Sequence, residues 1–244
     1  MPAGISTSLS SYPPFTPPGI SGCILWLRSD LGVGLNGSTV SRWNDFSGSS
    51  NHTTQGTVAN QPTYVQNGGA KGLPYLYWPT ALSGQNIWGS AMLSQPSEYF
   101  IVARTTTAAP ANDAYLFNSA NNTNNPFNSV IQQSGVLVLN QFGGPGGVEG
   151  PNVNVTNNVD FVIDAIGNGN SSSLALNGGA PKNIGGNMSG TGTGFTIGNV
   201  YQSGIKSWQG FIYEVVCFNR QLASGERSVL QAYFLARYNL PVTP

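Results

Sequence analysis

A two-sheet antiparallel β-sandwich of the jelly-roll kind, closed by one amphipathic C-terminal helix over 224–238 and preceded by an extended Pro-rich arm, is the fold this sequence predicts. Three observations carry the prediction. Short β-branched and aromatic runs recur along the chain between Gly, Asn, Ser and Pro turns, the spacing of sandwiches and jelly rolls. Only the segment from Leu222 to Pro241 has the spacing of an amphipathic helix. Pro13, Pro14, Pro17 and Pro18 crowd one short N-terminal stretch, which favours polyproline geometry and cannot enter a central strand.

Residues 1–20 therefore read as an arm. Tyr12 and Phe15 sit among its prolines, and a free linker has little use for buried-type aromatics. With Tyr12, Pro13, Pro14, Phe15, Pro17 and Pro18 as its docking residues, the arm is expected to lie outside the sandwich and contact a different chain. Residues 21–244 form one domain. Its strands are read in "CILWLRSD", "TVSRWND", "LPYLYW", "EYFIVART", "AYLFN", "GVLVLNQF", "DFVIDAIG", "SLALNGG", "GFTIGNV" and "GFIYEVVCFNR". The Gly-rich pieces "FGGPGGVEG" and "IGGNMSGTGTG" read as surface loops, because neither joins a strand to a helix as a phosphate cradle does. In the helix, Ser224 is the expected cap, Glu226 stands in the first turn, Arg237 in the last, and Pro241 stops it. Val229, Leu230, Tyr233 and Phe234 are expected to be buried, with Arg227 and Gln231 facing solvent.

Composition excludes several classes of function. The 244 residues are 39% hydrophobic, enough for one large core. Only 7% are charged, against roughly 25% in an average globular protein. Nine Lys and Arg balance nine Asp and Glu, so no basic stripe exists for nucleic acid and no polybasic segment for a membrane surface. The N-terminus carries neither a basic start nor a long apolar run, so the expectation is synthesis in a cytoplasm without a signal peptide. Cys23 and Cys217 form no metal motif. They read either as two buried thiols or as one disulfide.

The order of elements resembles the concanavalin A-like lectin/glucanase superfamily, in its laminin-G-like and pentraxin-like branch. The opening "GISGCILWLRSDLGV", then "VSRWNDFSGSSNHTTQG" and "QPTYVQNGGAKGLPYLYW", carry the likeness. So does the closing pattern on Gly210, Ile212, Glu214, Val215, Phe218, Asn219, Arg220, Leu222 and Glu226. It spans residues 20–241. Such domains occur in bacterial surface proteins and in structural proteins of phages and large viruses. The resemblance implies Cys23 and Cys217 on neighbouring first and last strands. It supports fold better than activity.

The stretch Val40–Gly56 holds a Trp, an Arg, an Asp and the sole His of the chain. It reads as a strand and a corner: Trp43 plugs the sandwich, and Asp45 accepts backbone N–H groups in an Asx-turn. His52 has no carboxylate or Cys at triad or metal spacing. Glucanases of the superfamily place two carboxylates on one strand in an E-x-D-x-E-like pattern, which is absent. Asp160 and Asp164 share a strand face about 13 Å apart, too far for retaining chemistry at about 5 Å. Glu214 is expected to bond a neighbouring backbone or an Arg. Calcium is common in the superfamily, but Asp30, Asp45 and Asp113 are scattered, so neither a metal nor another cofactor is indicated. Trp88 and Tyr201 are the candidates for an aromatic sugar platform, against core or edge packing. The expected function is a non-catalytic structural or adhesive protein of a virion surface: capsid decoration, fibre or tail, with other subunits and cell-surface glycans as partners. The alternative is an extracellular carbohydrate-binding module of a cell-surface system. A polysaccharide hydrolase ranks last.

Overall fold

The computed structural model describes residues 15–79, 84–91, 93–119, 129–143, 148–183, 192, 194–200 and 206–241. Among them the strands are β1 (Cys23–Arg28), β2 (Val33–Asn36), β3 (Thr39–Trp43), β4 (Thr53–Thr54), β5 (Thr63–Val65), β6 (Tyr75–Trp78), β7 (Ile87–Gly89), β8 (Ser97–Thr105) and β9 (Ala114–Asn118). They continue with β10 (Ser129–Gln132), β11 (Val138–Gly143), β12 (Val148–Asn154), β13 (Asp160–Gly167), β14 (Ser173–Leu176), β15 (Lys182–Asn183), β16 (Phe195–Ile197) and β17 (Gly210–Phe218). The helix α1 is Ser224–Tyr238. Paired strands run antiparallel throughout. One layer centres on β17, with β1 and β6 along one edge and β8, β13, β14 and β15 following from the other. The facing layer runs β2–β3–β4–β7–β16–β9–β10–β11–β12, and β5 joins the two by pairing with β3 and β6. The protein is thus the all-β antiparallel sandwich with one C-terminal helix that the sequence predicts. The Gly-rich piece around 142–150 is less of a loop than expected, since β11 runs to Gly143 and β12 starts at Val148.

Two apolar layers hold the sandwich. Leu25, Leu27, Ile101, Ile163 and Val215 meet Trp43, Phe117, Val130, Leu139 and Phe195 between the sheets. On the outer face, Trp26, Phe100, Val102, Val216 and Phe218 lie under Leu230, Phe234 and Tyr238 of α1. The central strands are therefore buried on both faces, which is why they read as near-continuous apolar runs rather than alternating ones. Bulges break strand parity where both neighbours are needed on one side. Opposite Gly34 and Leu35, β3 inserts Ser41, so Val40 and Trp43 both enter the core. Opposite Val102 and Ala103, β17 inserts Tyr213, so Tyr213 and Glu214 both face the helix.

The helix has the predicted span with a different buried stripe. Leu230, Phe234 and Tyr238 are buried at i, i+4 and i+8, whereas Val229 is 50% exposed, about 100° round the axis from Leu230. Tyr233 is half-buried against Phe15. Arg227 and Gln231 do not face open solvent: both bond carboxylates of the sheet beneath. Ser224 is the first helical residue and not the cap. The Ala223 N–H donates to Glu226, whose carboxylate Arg220 grips at 2.6 Å, and Arg220 with this N–H holds that carboxyl down to about 2. Asn239, in left-handed conformation, ends the helix before Pro241 is reached.

The arm is shorter than residues 1–20. The ring of Phe15 lies 5.6 Å from that of Tyr233, Pro17 is buried, Pro18 is half-buried, and Ile20 joins the cluster under α1. Phe15, Pro17 and Pro18 thus pack on this chain's own domain. Their apolar surface finds a partner on α1 that local sequence could not reveal. Tyr12, Pro13 and Pro14 lie outside the described residues. Cys23 and Cys217 are on paired strands, as the resemblance implies. Both thiols are free: Cys217 enters the inner core, while Cys23 packs on the outer face. Burial pushes the Cys23 thiol up to about 12 and raises that of Cys217 well above its ordinary value.

Candidate functional site

The polar stretch Val40–Gly56 is a corner. Asp45 accepts the backbone N–H groups of Trp26, Ser47 and Asn51, each at 2.8 Å. His52 takes the Asp45 N–H on Nδ1 at 3.0 Å, and Trp43 donates its indole N–H to the Arg28 carbonyl. These groups are engaged in closing the turn. The scattered acids Asp30 and Asp113 likewise have partners of their own. Asp30 is bound by Arg28 and Arg237, Asp113 accepts from the Ser134 N–H, and no three His, Cys, Asp or Glu side chains converge among the described residues.

The buried carboxylates fasten α1 to the sheet. Glu214, fully buried, accepts from the Trp26 indole at 2.6 Å, from Tyr238 at 2.7 Å and from Tyr233 at 3.0 Å, with Arg237 at 3.6 Å. Of the two partners expected, a backbone group or an Arg, the Arg is present as Arg237, joined by the indole and two phenols. Glu98, also fully buried, receives Arg227 through Nε and Nη2 and the Leu222 N–H. Asp164 stands beside them, 3.2 Å from Arg227 and 3.3 Å from Gln231. Burial, and then the neighbouring Glu98, drive the Asp164 carboxyl well above the usual carboxylate range.

A row of side chains crosses the outer face of the first layer beyond α1. Tyr77 on β6 pairs with Phe211 on β17, Phe211 with Arg104 on β8, and Arg104 with Asp160 on β13. All four residues are half-buried. At the usual strand spacing the row is about 14 Å long. Phe211 stacks on Tyr75 at 4.0 Å and meets Tyr77 edge-on at 5.2 Å. The Arg104 guanidinium sits 5.1 Å over the Phe211 ring and grips Asp160 at 2.7 and 2.6 Å. Tyr213 donates its hydroxyl to Asp160 at 2.8 Å. Burial, followed by Asp160, raises the Tyr213 phenol, so it stays a donor. At its Asp160 end the row opens on a cavity of about 230 Å³, lined also by Asn154, Thr156 and Asn177. Aromatic faces beside an oriented carboxylate–guanidinium pair suit a ligand with alternating C–H and hydroxyl surfaces.

Of the sequence-derived platform residues, Trp88 does not meet this row. Trp88 is half-buried on β7, between β4 and β16 in the opposite layer, and Tyr201 lies outside the described residues. Tyr77 and Phe211 were legible as strand aromatics. Only the cross-strand register brings them together.

Strand pairing and the single helix together define an antiparallel β-sandwich closed by one C-terminal helix. No family model and no curated protein sequence matches the chain. Many solved structures share its fold, the following three among them. The binding domain of Botulinum neurotoxin DC, in complex with SialylT, superposes with a TM-score of 0.62 at 11% identity, over 87% of this chain and 51% of that one. Domain 4 of AbnA, a GH43 extracellular arabinanase from Geobacillus stearothermophilus, in complex with arabinotriose, gives 0.60 at 14% identity, over 86% of this chain and 98% of that one. The binding domain of Paraclostridial Mosquitocidal Protein 1 gives 0.58 at 14% identity, over 87% and 52%. The chain therefore spans about half the length of the two toxin domains and nearly all of Domain 4. At such identities the likeness is one of fold.

Proposed function

We propose that this chain is a non-catalytic, glycan-binding β-sandwich domain with an adhesive role. The row Tyr77–Phe211–Arg104–Asp160 carries the reading: it offers half-buried aromatic surface, fixed polar groups and length for a short oligosaccharide. Two of the structural relatives are described with saccharides bound, which supports it. The deployment of Glu214, Glu98 and Asp164 in fastening a helix supports a binding rather than a hydrolytic role. A glycan array followed by calorimetry on the hits tests the row. Phe211→Ala and Tyr77→Ala should each weaken binding about tenfold or more, on the order of 1.5 kcal/mol for an aromatic anchor. Melting curves of the variants serve as the control for folding. A blank array, or affinities unmoved in both variants, rejects the row.

The setting proposed is a virion surface, where the arm attaches the domain to other subunits; an extracellular cell-surface module is the second reading. The packing of Phe15, Pro17 and Ile20 on this same chain places the informative cut before Phe15. Removing residues 1–14 should leave the melting temperature near that of the full chain and abolish co-sedimentation with a particle. Unchanged co-sedimentation excludes the arm as the anchor.

A further inference from the structure

Where α1 crosses the β14–β15 hairpin, it leaves a partly enclosed cavity of about 260 Å³. Asp164, Ser173, Ala175, Pro181, Arg227 and Gln231 are among its walls. It falls just below the ~300–1,000 Å³ clefts of drug-sized ligands, yet holds several times the ~30 Å³ share of one water.

The polar groups here have capacity left over. Arg227 commits Nε and Nη2 to Glu98 and the Leu222 carbonyl. Among the described residues its Nη1 has no partner. Gln231 donates Nε2 to Asp164, and its Oε1 hangs above Gly178, 3.6 Å from where a Cβ would stand. The left-handed φ of +75° at Gly178 and of 49° at Asn177 make the tight turn that brings the hairpin loop to the helix. Ser173 is buried on β14, and its hydroxyl has no partner among the described residues. A donor, an acceptor and a hydroxyl thus border one space, with Ala175 and Pro181 as apolar wall.

Charge narrows the ligand. Glu98 and Asp164 flank one Arg227, and Asp164 and Arg227 both line the cavity. An anion would face the Asp164 carboxyl in the wall, and a cation would face the Arg227 guanidinium. A neutral ligand with several hydroxyls meets neither penalty and satisfies groups that otherwise need water. We propose that this cavity is a second binding site, taking a single neutral sugar residue or a polyol of that size. It goes beyond the aromatic row and shares no residue with it.

The test is titration of the full chain with neutral monosaccharides (glucose, galactose, mannose, arabinose) and inositol, followed by amide chemical shifts. Glucosamine and sialic acid serve as charged controls. At least one neutral probe should shift the amides of Ser173, Gly178, Gly179 and Ser224 with a millimolar Kd. Gln231→Ala and Ser173→Ala should each weaken that binding about tenfold, while Phe211→Ala leaves it unchanged. Three results overturn the site: no probe moves these amides, both cavity variants bind as the wild type does, or the charged controls bind more tightly than every neutral probe. Loss of oligosaccharide binding in Phe211→Ala with monosaccharide shifts intact would mark the two sites as separate.

Discussion

Glu214→Ala should destabilise the protein by about 3–5 kcal/mol, the range for breaking a buried polar network by removing one partner. The side chain is fully buried, and its loss would strand the Trp26 indole N–H and the Tyr233 and Tyr238 hydroxyls under α1, while Arg237 would keep its pair with Asp30. Urea denaturation followed at the helix and at the tryptophans measures the change, and a midpoint equal to that of the wild type would refute the hub. Glu214→Gln keeps an acceptor and removes the titration. Burial raises the folded-state pKa of Glu214, against the lowering effect of its hydrogen bonds. The native state therefore holds this proton more tightly than the unfolded chain does. That contribution to stability is complete below the unfolded value of about 4.3 and fades as pH rises through the folded pKa. The stability deficit of Glu214→Gln should consequently shrink as pH rises above about 4.3; a deficit that grows would reverse the sign.

Gly210→Ala should cost about 3 kcal/mol or more, past the usual 1–3 kcal/mol of overpacking. A Cβ at this position would stand 1.9 Å from the Arg104 carbonyl oxygen and 2.9 Å from the Trp208 indole nitrogen. The obstacle is backbone of the paired strand β8, not the end of a flexible side chain. Relief requires β17 and β8 to separate where Phe211 faces Arg104. The variant should therefore also lose glycan binding at the aromatic row. A Gly210→Ala protein with the wild-type denaturation midpoint would show that the strands can part freely there.

Much of the architecture was legible locally. Runs such as "EYFIVART" and "GFIYEVVCF" have strand composition whatever they pack against, and the helix spans 224–238 as its periodicity requires. The Trp43–Asp45 corner was legible because an Asx-turn is made by residues within a few positions of one another. The short strands β4, β7 and β15 escape a sequence reading, since two or three residues carry too few side chains to show a period. The burial of Pro17 and Ile20 was also missed, because prolines signal an extended chain without saying what lies beside it.

By itself the sequence determined the fold class, the helix and its limits, and the polar corner, all of which rest on period, turn chemistry and neighbours close along the chain. Only the tertiary structure decided what the acids and aromatics do. Trp26 and Glu214 bond across 188 positions, and Arg227 and Glu98 across 129. A single bulge at Tyr213 decides whether Glu214 faces the helix or the core. Tyr77, Phe211, Arg104 and Asp160 form a row solely because four strands align in register. Register and parity are properties of paired strands, and one inserted residue exchanges every side chain beyond it between the two faces of a sheet.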